Sequence, residues 1–259
     1  MDTSKSPFLK PLALMWRGNI NAPDQPTNHP ERLKPLIAEF ERLGVEARQV
    51  VYFDADAEAT RDQLKSMSGV LVWINPVQDG QDRVIVDAML RDVSAAGTWV
   101  SAHPDTILKM GTKEVLYRTR ELGWGADTDL YSTYDEFALR FPIKLSVAGP
   151  RVLKPLRGND GRGVFRVEAL GSERVRLQEA IDDRVETLPL AQFIQRSKEK
   201  FSGFVDQPFQ NNVKAGMVRV YMSQNRVVGF SEQAPRNLTP SSDQPAFGMN
   251  SAKTMHGAD

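Results

Sequence analysis

A lysine followed at once by a glycine-rich loop is the part of this sequence with the clearest chemistry. Lys154 ends the apolar stretch Arg151–Lys154. The loop behind it carries residues that can contact an anion: Gly158, Asn159, Gly161, Arg162 and Gly163. Glycines let main-chain N–H groups approach phosphate oxygens, because no Cβ stands in the way. The order differs from a Walker loop, in which the lysine follows the glycines and opens a helix. A glycine-rich β-hairpin with a solvated lysine is an equally weighted interpretation of the loop alone.

Downstream, the stretch Phe204–Phe209 is predicted to be a strand that runs into a hinge. Main-chain groups at such a hinge can pair with the edge of an adenine. Pro208 has no N–H to donate, so main-chain N–H contacts must come from its two neighbours. The predicted main-chain N–H contacts are therefore Gln207 and Phe209.

Two further basic residues fit the same chemistry. Lys113 stands at the predicted start of a helix, and Arg219 lies on the otherwise apolar strand Gly216–Tyr221. An arginine that points inward from an apolar strand needs an anion, and a triphosphate is one candidate. Four segments thus carry groups that suit a nucleotide.

The composition excludes several classes of protein. Lys+Arg and Asp+Glu both number 33, so zero net charge gives no general attraction to nucleic acid or to anionic membranes. No stretch approaches the roughly 20 apolar residues of a membrane span, and the N-terminus lacks a signal-peptide core. With no cysteine and three scattered histidines, no zinc site is expected. We expect a cytoplasmic protein that binds neither nucleic acid nor membrane.

The elements that must position these residues form two predicted domains. In residues 1–105, strands alternate with helices, which predicts right-handed βαβ units and a parallel sheet covered on both faces. After about residue 105 the pattern changes to hairpins and helices, which predicts an α+β domain over 106–259. Its central part covers about 106–200, and a C-terminal part begins near 201. The run Pro235–Asp259 shows no helix or strand period and is expected to lack regular structure.

In their order, these parts resemble the ATP-grasp superfamily, and within it the glutathione-synthetase-like group. The resemblance covers nearly the whole chain. It implies that Lys113 and Lys154 bracket ATP, that the loop Gly158–Gly163 covers the phosphates and that the hinge Asp206–Phe209 holds the adenine. It further implies a pre-ATP-grasp α/β domain followed by ATP-grasp subdomains, with Arg219 and Lys154 assisting the reaction.

The reaction implied by the resemblance is an ATP-dependent ligation. A small carboxylate would attack the γ-phosphate to give an acyl phosphate and ADP, and an amine or thiol would then displace phosphate. A non-catalytic protein that binds a nucleotide or a substrate on the same architecture is the main alternative, and a small-molecule kinase is a weaker one. A homodimer is the default expectation for an enzyme of this kind.

One departure from the family concerns Mg²⁺. ATP-grasp members hold magnesium with a late Glu-x-Asn motif, and no such motif follows Glu232. We expect the metal ligands to lie beyond Asp259, so no metal ligand is assigned and the chain as given is not expected to be a competent catalyst. Pro235–Leu238 loosely resembles the family segment near the acyl acceptor, which makes Arg236 and Asn237 substrate candidates.

The carboxyl ends of two N-terminal strands supply the remaining substrate candidates. Arg17 follows the first strand and Asn75 follows the strand that ends near Trp73. Open α/β sheets bind ligands at this edge. A plain strand-to-helix loop, with Asp82 near a helix cap, explains the segment around Asn75 equally well.

Overall fold

The computed structural model of the chain describes residues 10–19, 21, 29–158, 161–181, 184–233 and 253–257. The chain divides into two compact units, Met1–Thr112 and Lys113–Asp259. None of the helices in these described ranges is long and apolar enough to cross a membrane.

The first unit is an α/β unit built on one parallel sheet. Its elements are, in chain order, β1 Leu12–Arg17, α1 His29–Arg42, β2 Ala47–Tyr52, a 3₁₀ turn Asp54–Asp56, α2 Ala57–Lys65, β3 Gly69–Trp73, α3 Val84–Ala95, β4 Trp99–Ser101, α4 Pro104–Thr106 and a π-helical turn Ile107–Gly111. The strand order is β2-β1-β3-β4, and every pairing is parallel. The predicted parallel sheet is confirmed.

Helices cover both faces of this sheet, and the sequence alternation explains how. Along β1, Leu14 and Trp16 pack with apolar residues of α1, whereas Ala13 and Met15 face the core formed with α2 and α3. Because successive side chains point to opposite faces, a strand that is apolar throughout can bury both. All six residues of β1 are buried accordingly.

The second unit is α+β and holds two antiparallel sheets. Its elements are α5 Glu114–Arg118, β5 Asp129–Tyr131, α6 Tyr134–Ala148, β6 Arg151–Pro155, β7 Phe165–Leu170, β8 Arg174–Glu179, β9 Val185–Pro189, α7 Leu190–Ser197, β10 Phe204–Pro208, β11 Met217–Ser223, β12 Arg226–Gln233 and β13 Lys253–His256, with 3₁₀ turns at Lys198–Lys200 and Asn211–Ala215. The first sheet has the order β5-β10-β6-β7-β8-β9, and the second has the order β11-β12-β13.

An aromatic core fixes α6 and α7 against one face of the six-stranded sheet. Phe137 and Phe141 of α6 stack with ring centroids 5.2 Å apart, and both contact Phe193 of α7. The helix begins with a capping box, in which the Thr133 and Glu136 side chains satisfy each other's main-chain N–H groups. The helices therefore cover one face of this sheet, and the site described below lies on the other face.

The predicted fold class, an α/β domain followed by α+β subdomains, is confirmed, but three details were wrong. The strands β8 and β9 were not predicted. The helix expected to start at Lys113 is only the short α5, and the chain continues after Arg118 in turns. The run Pro235–Asp259 was expected to lack regular structure, yet its residues Lys253–His256 form β13 and pair with β12.

Candidate functional site

Two lysines from separate segments of the second unit converge on the side of the six-stranded sheet opposite α6 and α7. Lys154 lies on β6, and Lys113 immediately precedes α5. The Lys113 ammonium donates to the Gly158 carbonyl at 3.1 Å, and the Lys154 ammonium donates to Oε1 of Gln207 at 2.7 Å. The Lys113 ammonium therefore lies at the start of the glycine-rich loop, close enough to Lys154 for the two charges to repel each other.

Burial and mutual repulsion leave this pair short of negative charge. Burial lowers the pKa of the Lys113 ammonium. Burial is also the main reason that the pKa of Lys154 is lowered, and the nearby charge of Lys113 lowers it further. Within the part of the chain that the structure describes, both ammonium groups bond to neutral oxygens and neither forms an ion pair with a carboxylate. Half-buried like charges without a counter-ion make a site where an anion is stabilised.

The main chain of Leu156 sets how far apart the two lysine-bearing segments lie. Its carbonyl accepts the Lys113 N–H at 3.1 Å, and its own N–H donates to the Gly203 carbonyl at 3.2 Å. Leu156 follows Lys154 by two residues, so the strand carrying one lysine is bonded directly to the residue carrying the other. A Cβ on Gly203 would lie 2.6 Å from Leu156 Cδ1, so only glycine fits there without displacement.

Two glycines of the loop between β6 and β7 adopt backbone angles that other residues rarely adopt. Gly161 and Gly163 have φ of 78° and 68°, which disfavour residues with a Cβ. The Gly163 N–H donates to the Glu179 carboxylate at 3.2 Å, so this loop amide faces an anionic oxygen. Arg162 is exposed. Asn159, another predicted contact, lies outside the described residues.

The hinge at the end of β10 contributes the Gln207 side chain, and not the main-chain N–H donors that were predicted. Gln207 accepts from Lys154 and donates to Thr128 Oγ1 at 3.0 Å, which holds the lysine in place. The Phe209 N–H already donates to the Pro150 carbonyl at 2.9 Å. Hydrogen-bonded pairs alternate along an antiparallel ladder, so the Gln207 N–H faces Val152 in the same way. Both main-chain donors expected for an adenine edge are thus used within the sheet.

Asp206 must be reassigned from the site to the core. Its carboxylate is fully buried on the opposite face of the sheet, where it accepts from Arg151 Nε at 2.7 Å and from the Tyr131 hydroxyl at 2.9 Å. Arg151 is equally buried and reaches Asp127 as well. Burial raises the pKa of Asp206, although Arg151 and Tyr131 act in the opposite direction. The Asp206 side chain therefore fixes the hinge strand and does not reach the lysines.

Arg219 lies on β11, in the other sheet of the unit. Its side chain is exposed and forms no hydrogen bond or ion pair with the residues that the structure describes. Its role at a triphosphate stays a prediction. Arg236 and Asn237, the candidates near an acyl acceptor, fall outside the described residues.

In the first unit, Arg17 is engaged internally and is not free to contact a substrate. It is 1% exposed, and its guanidinium donates to Asp54 at 2.8 Å, to the Gln81 side chain at 3.0 Å and to the Asp82 carbonyl at 2.6 Å. The arginine cross-links the carboxyl ends of two strands to the loop before α3, which corrects its prediction as a substrate contact. Asn75 is exposed and stays a candidate.

The loop around Asn75 also shows the predicted helix cap. The Asp82 carboxylate accepts from the Val84 N–H at 2.8 Å, at the first residue of α3. Arg83 is buried, pairs with Asp87 and donates to the Ile74 carbonyl. Much of this loop therefore serves to join β3 to α3.

A magnesium site is not evident in the described part of the chain, where no group of three or more His, Asp or Glu side chains could hold a metal ion. The described residues at the two lysines are cationic and amide groups, which suit an anion and do not suit a magnesium ion.

Sequence reasoning missed two residues that line the same face. Thr128 orients Gln207, and Arg166 of β7 stacks on the Phe209 ring with 4.1 Å from guanidinium to centroid. Arg166 alternates with the core residues Phe165 and Val167, which is a signal that it faces away from the core. The interaction of Thr128 with β10 depends on tertiary contacts that no local pattern reveals.

Comparisons with known proteins give matches in structure alone. No protein-family model matches the sequence, and no curated protein matches it. The D-cycloserine synthetase DcsG is similar with a TM-score of 0.62 and 12% identity, over 95% of this chain and 75% of that chain. The D-alanine–D-alanine ligase from Bacillus anthracis has a TM-score of 0.58 and 12% identity, over 96% and 72%.

A third solved structure bears the family term in its name. The RimK domain protein ATP-grasp from Sphaerobacter thermophilus DSM 20745 has a TM-score of 0.51 and 18% identity, over 88% of this chain and 76% of that chain. Similarity at these identities establishes the arrangement of the chain and not its reaction. This protein has the ATP-grasp fold.

Proposed function

We propose that the second unit binds ATP, with the triphosphate held between Lys113 and Lys154. The observation that carries this proposal is the convergence of two half-buried ammonium groups that have no carboxylate partner among the described residues. A triphosphate supplies the negative charge, and the glycine-rich loop supplies main-chain N–H groups beside it. The Gly158 carbonyl already accepts a hydrogen bond from the Lys113 ammonium, so the start of the loop lies beside one of the two lysines.

We further propose that the full protein is an ATP-dependent ligase that acts on a small carboxylate. A carboxylate oxygen attacks the γ-phosphorus, the bond to ADP breaks, and an acyl phosphate forms. An amine or thiol then attacks the acyl carbon, loses its proton and releases phosphate. Lys113 and Lys154 neutralise phosphate oxygens, and Arg219 offsets charge on the γ-phosphate. Reactions of this class depend mainly on positioning and charge neutralisation. The named synthetases and ligases of the same fold support this proposal.

The proposed magnesium requirement follows from ATP chemistry, and the described residues supply no ligand set for it. The two lysines therefore account for the proposed binding of the triphosphate without a metal ligand from the described residues. In the ligase, magnesium would neutralise further phosphate charge when bound.

A thermal-shift titration tests the nucleotide site directly. We expect ATP with MgCl₂ to stabilise the protein by about 2.7 kcal/mol at a concentration of 100 Kd. Lys154→Met should lose nearly all of this shift, because it removes the ammonium at the centre of the site. Lys65→Met, which changes an exposed lysine of α2, should retain it.

Release of ADP against panels of small carboxylates with amines or thiols then tests the ligase. A nucleotide-dependent shift without any ADP release would support the binding protein that we consider as the alternative. Equal stabilisation of the parent and of Lys154→Met, or no stabilisation of either, would contradict the proposed site.

A further inference from the structure

Arg166 presents a donor group that the surrounding protein leaves unused. Its side chain is 15% exposed, and its Nε has no hydrogen-bond partner among the described residues. A single long contact, 3.4 Å to the Glu168 carboxylate, joins the guanidinium to its nearest acid. A buried donor without a partner destabilises a protein, and a ligand atom that accepts a hydrogen bond from it removes that cost.

The strand register places Arg166 on the same face as the lysine site. Val152 of β6 is paired with Gln207 on one side and with Arg166 on the other. Lys154 follows Val152 by two residues and so points to the same face, roughly 7 Å further along the strand toward the glycine-rich loop. A ligand whose phosphates lie at Lys154 and whose remainder extends away from the loop would pass over Val152 and reach Arg166.

At that end, the main-chain N–H groups on either side of Pro208 are already used. Pro208 has none, and the N–H groups of Gln207 and Phe209 are used within the sheet. The Arg166 guanidinium lies 4.1 Å from the centroid of the Phe209 ring, within the range of cation–π attraction. A planar guanidinium fixed in this way keeps its donors directed while its orientation is restricted.

We propose that Arg166 and Phe209 form the subsite for the base of the bound nucleotide, in which Arg166 donates a hydrogen bond to an acceptor atom of the base. This inference rests on the proposed function, because it assumes that the phosphates lie at Lys113 and Lys154. It assigns recognition of the base to a side chain of β7, in place of the main-chain donors of the hinge. Phe209 is then a positioning residue whose ring restrains the Arg166 guanidinium.

Binding of ATP and of inorganic tripolyphosphate, measured by calorimetry on the full chain, separates the two ends of the site. Arg166→Met should weaken ATP binding about 10- to 100-fold and leave tripolyphosphate binding unchanged. Arg166→Lys keeps the charge but not the planar fork, so it should restore little of the affinity for ATP. Phe209→Leu should weaken ATP selectively as well. Lys154→Met should weaken both ligands. Arg196→Met, which breaks an exposed ion pair on α7, should change neither.

Each other outcome identifies what fails. If the parent protein binds neither ligand, the proposed function fails. If the parent binds ATP and Arg166→Met binds it equally well, the base subsite is wrong while the nucleotide site stands. If Arg166→Met weakens ATP and tripolyphosphate by the same factor, Arg166 has a structural or general electrostatic role and the base subsite is also wrong.

Discussion

At the scale of single residues, the candidate site places two positive charges in an unfavourable arrangement. Lys113 and Lys154 are partly removed from water and repel each other, and the described residues supply only neutral acceptors. Such a pair lowers the stability of the ligand-free protein and favours the binding of an anion for the same reason. Stability and function should therefore respond in opposite directions to the same substitution.

Lys154→Met should stabilise the ligand-free protein at pH 7 by about 1 kcal/mol, a rise in Tm of roughly 2–4 °C. The pKa of Lys154 is lowered in the folded state, so the cost of its charge is fully present below that lowered pKa. This cost disappears as pH rises toward the ordinary value of 10.5. Urea unfolding at pH 7 and near pH 10 should show the advantage of the variant shrinking with pH. A variant that is less stable at pH 7 would contradict the assigned repulsion.

The same lowered pKa values predict how ATP binding depends on pH. The lysines lose their protons at lower pH than exposed lysines, so ATP affinity should fall as pH rises from 7 toward the ordinary lysine value of 10.5. In that range, binding should be accompanied by proton uptake, because the triphosphate raises the lysine pKa values again. Calorimetry in two buffers of different ionisation enthalpy measures this uptake. Proton release, or an affinity that stays constant over this range, would contradict charged lysines at the phosphates.

At the scale of elements, β6 and β10 separate two kinds of polar residue by alternation. Lys154 and Gln207 face the site, whereas Arg151 and Asp206, at positions of opposite parity on the two strands, form a buried ion pair on the other face. A shift of register by one residue would exchange the two sets. The buried pair, with Tyr131, therefore specifies which face of the sheet carries the lysine.

Asp206→Asn should destabilise the protein by about 3 kcal/mol, because it leaves the buried Arg151 with Asp127 as its remaining acidic partner. Urea unfolding of the variant measures this loss. Glu186→Gln is a suitable comparison, since it also breaks an arginine pair but on the surface, where a loss under about 1 kcal/mol is expected. Similar small losses for both variants would show that the buried pair does not fix the hinge strand.

The elements also show what a single sequence reveals. The parallel sheet, the lysine before the loop and the β11–β12 hairpin follow from local periodicity and turn residues. The strand β8 was missed because charged residues alternate with Val175 and Leu177. The helix α6 continues through Pro142, where proline disfavours a helix, since Phe141 and Leu145 keep burying its core face. The partners of Asp206 and Arg17 depend on register and on distant loops, which no local pattern encodes.

At the scale of the whole molecule, charge is balanced, so attraction for anions must be local. Lys+Arg equals Asp+Glu over the chain, which leaves no long-range positive field. Partly buried charges are also less screened by salt than exposed ones. The chain should therefore select a compact, highly charged ligand over an extended polyanion.

This balance predicts a weak dependence of ATP affinity on salt. Between 50 and 300 mM NaCl we expect a loss of less than about tenfold, far below that of a protein with many exposed phosphate contacts. Heparin and duplex DNA should not compete with ATP at 150 mM NaCl. A steep salt dependence, or displacement of ATP by heparin, would indicate an exposed basic surface as the site.

The bonding of Leu156 has a consequence for how this site tolerates change. Its N–H and its carbonyl, not its side chain, join the strand of one lysine to the residue bearing the other. The gap between the main-chain positions of the two lysines is therefore set by hydrogen bonds of the backbone. Exchanging Leu156 for another aliphatic residue should leave that gap intact, whereas inserting or deleting a single residue between 154 and 156 should abolish it. Among related sequences, we therefore expect the residue types in this stretch to vary and the number of residues to stay constant.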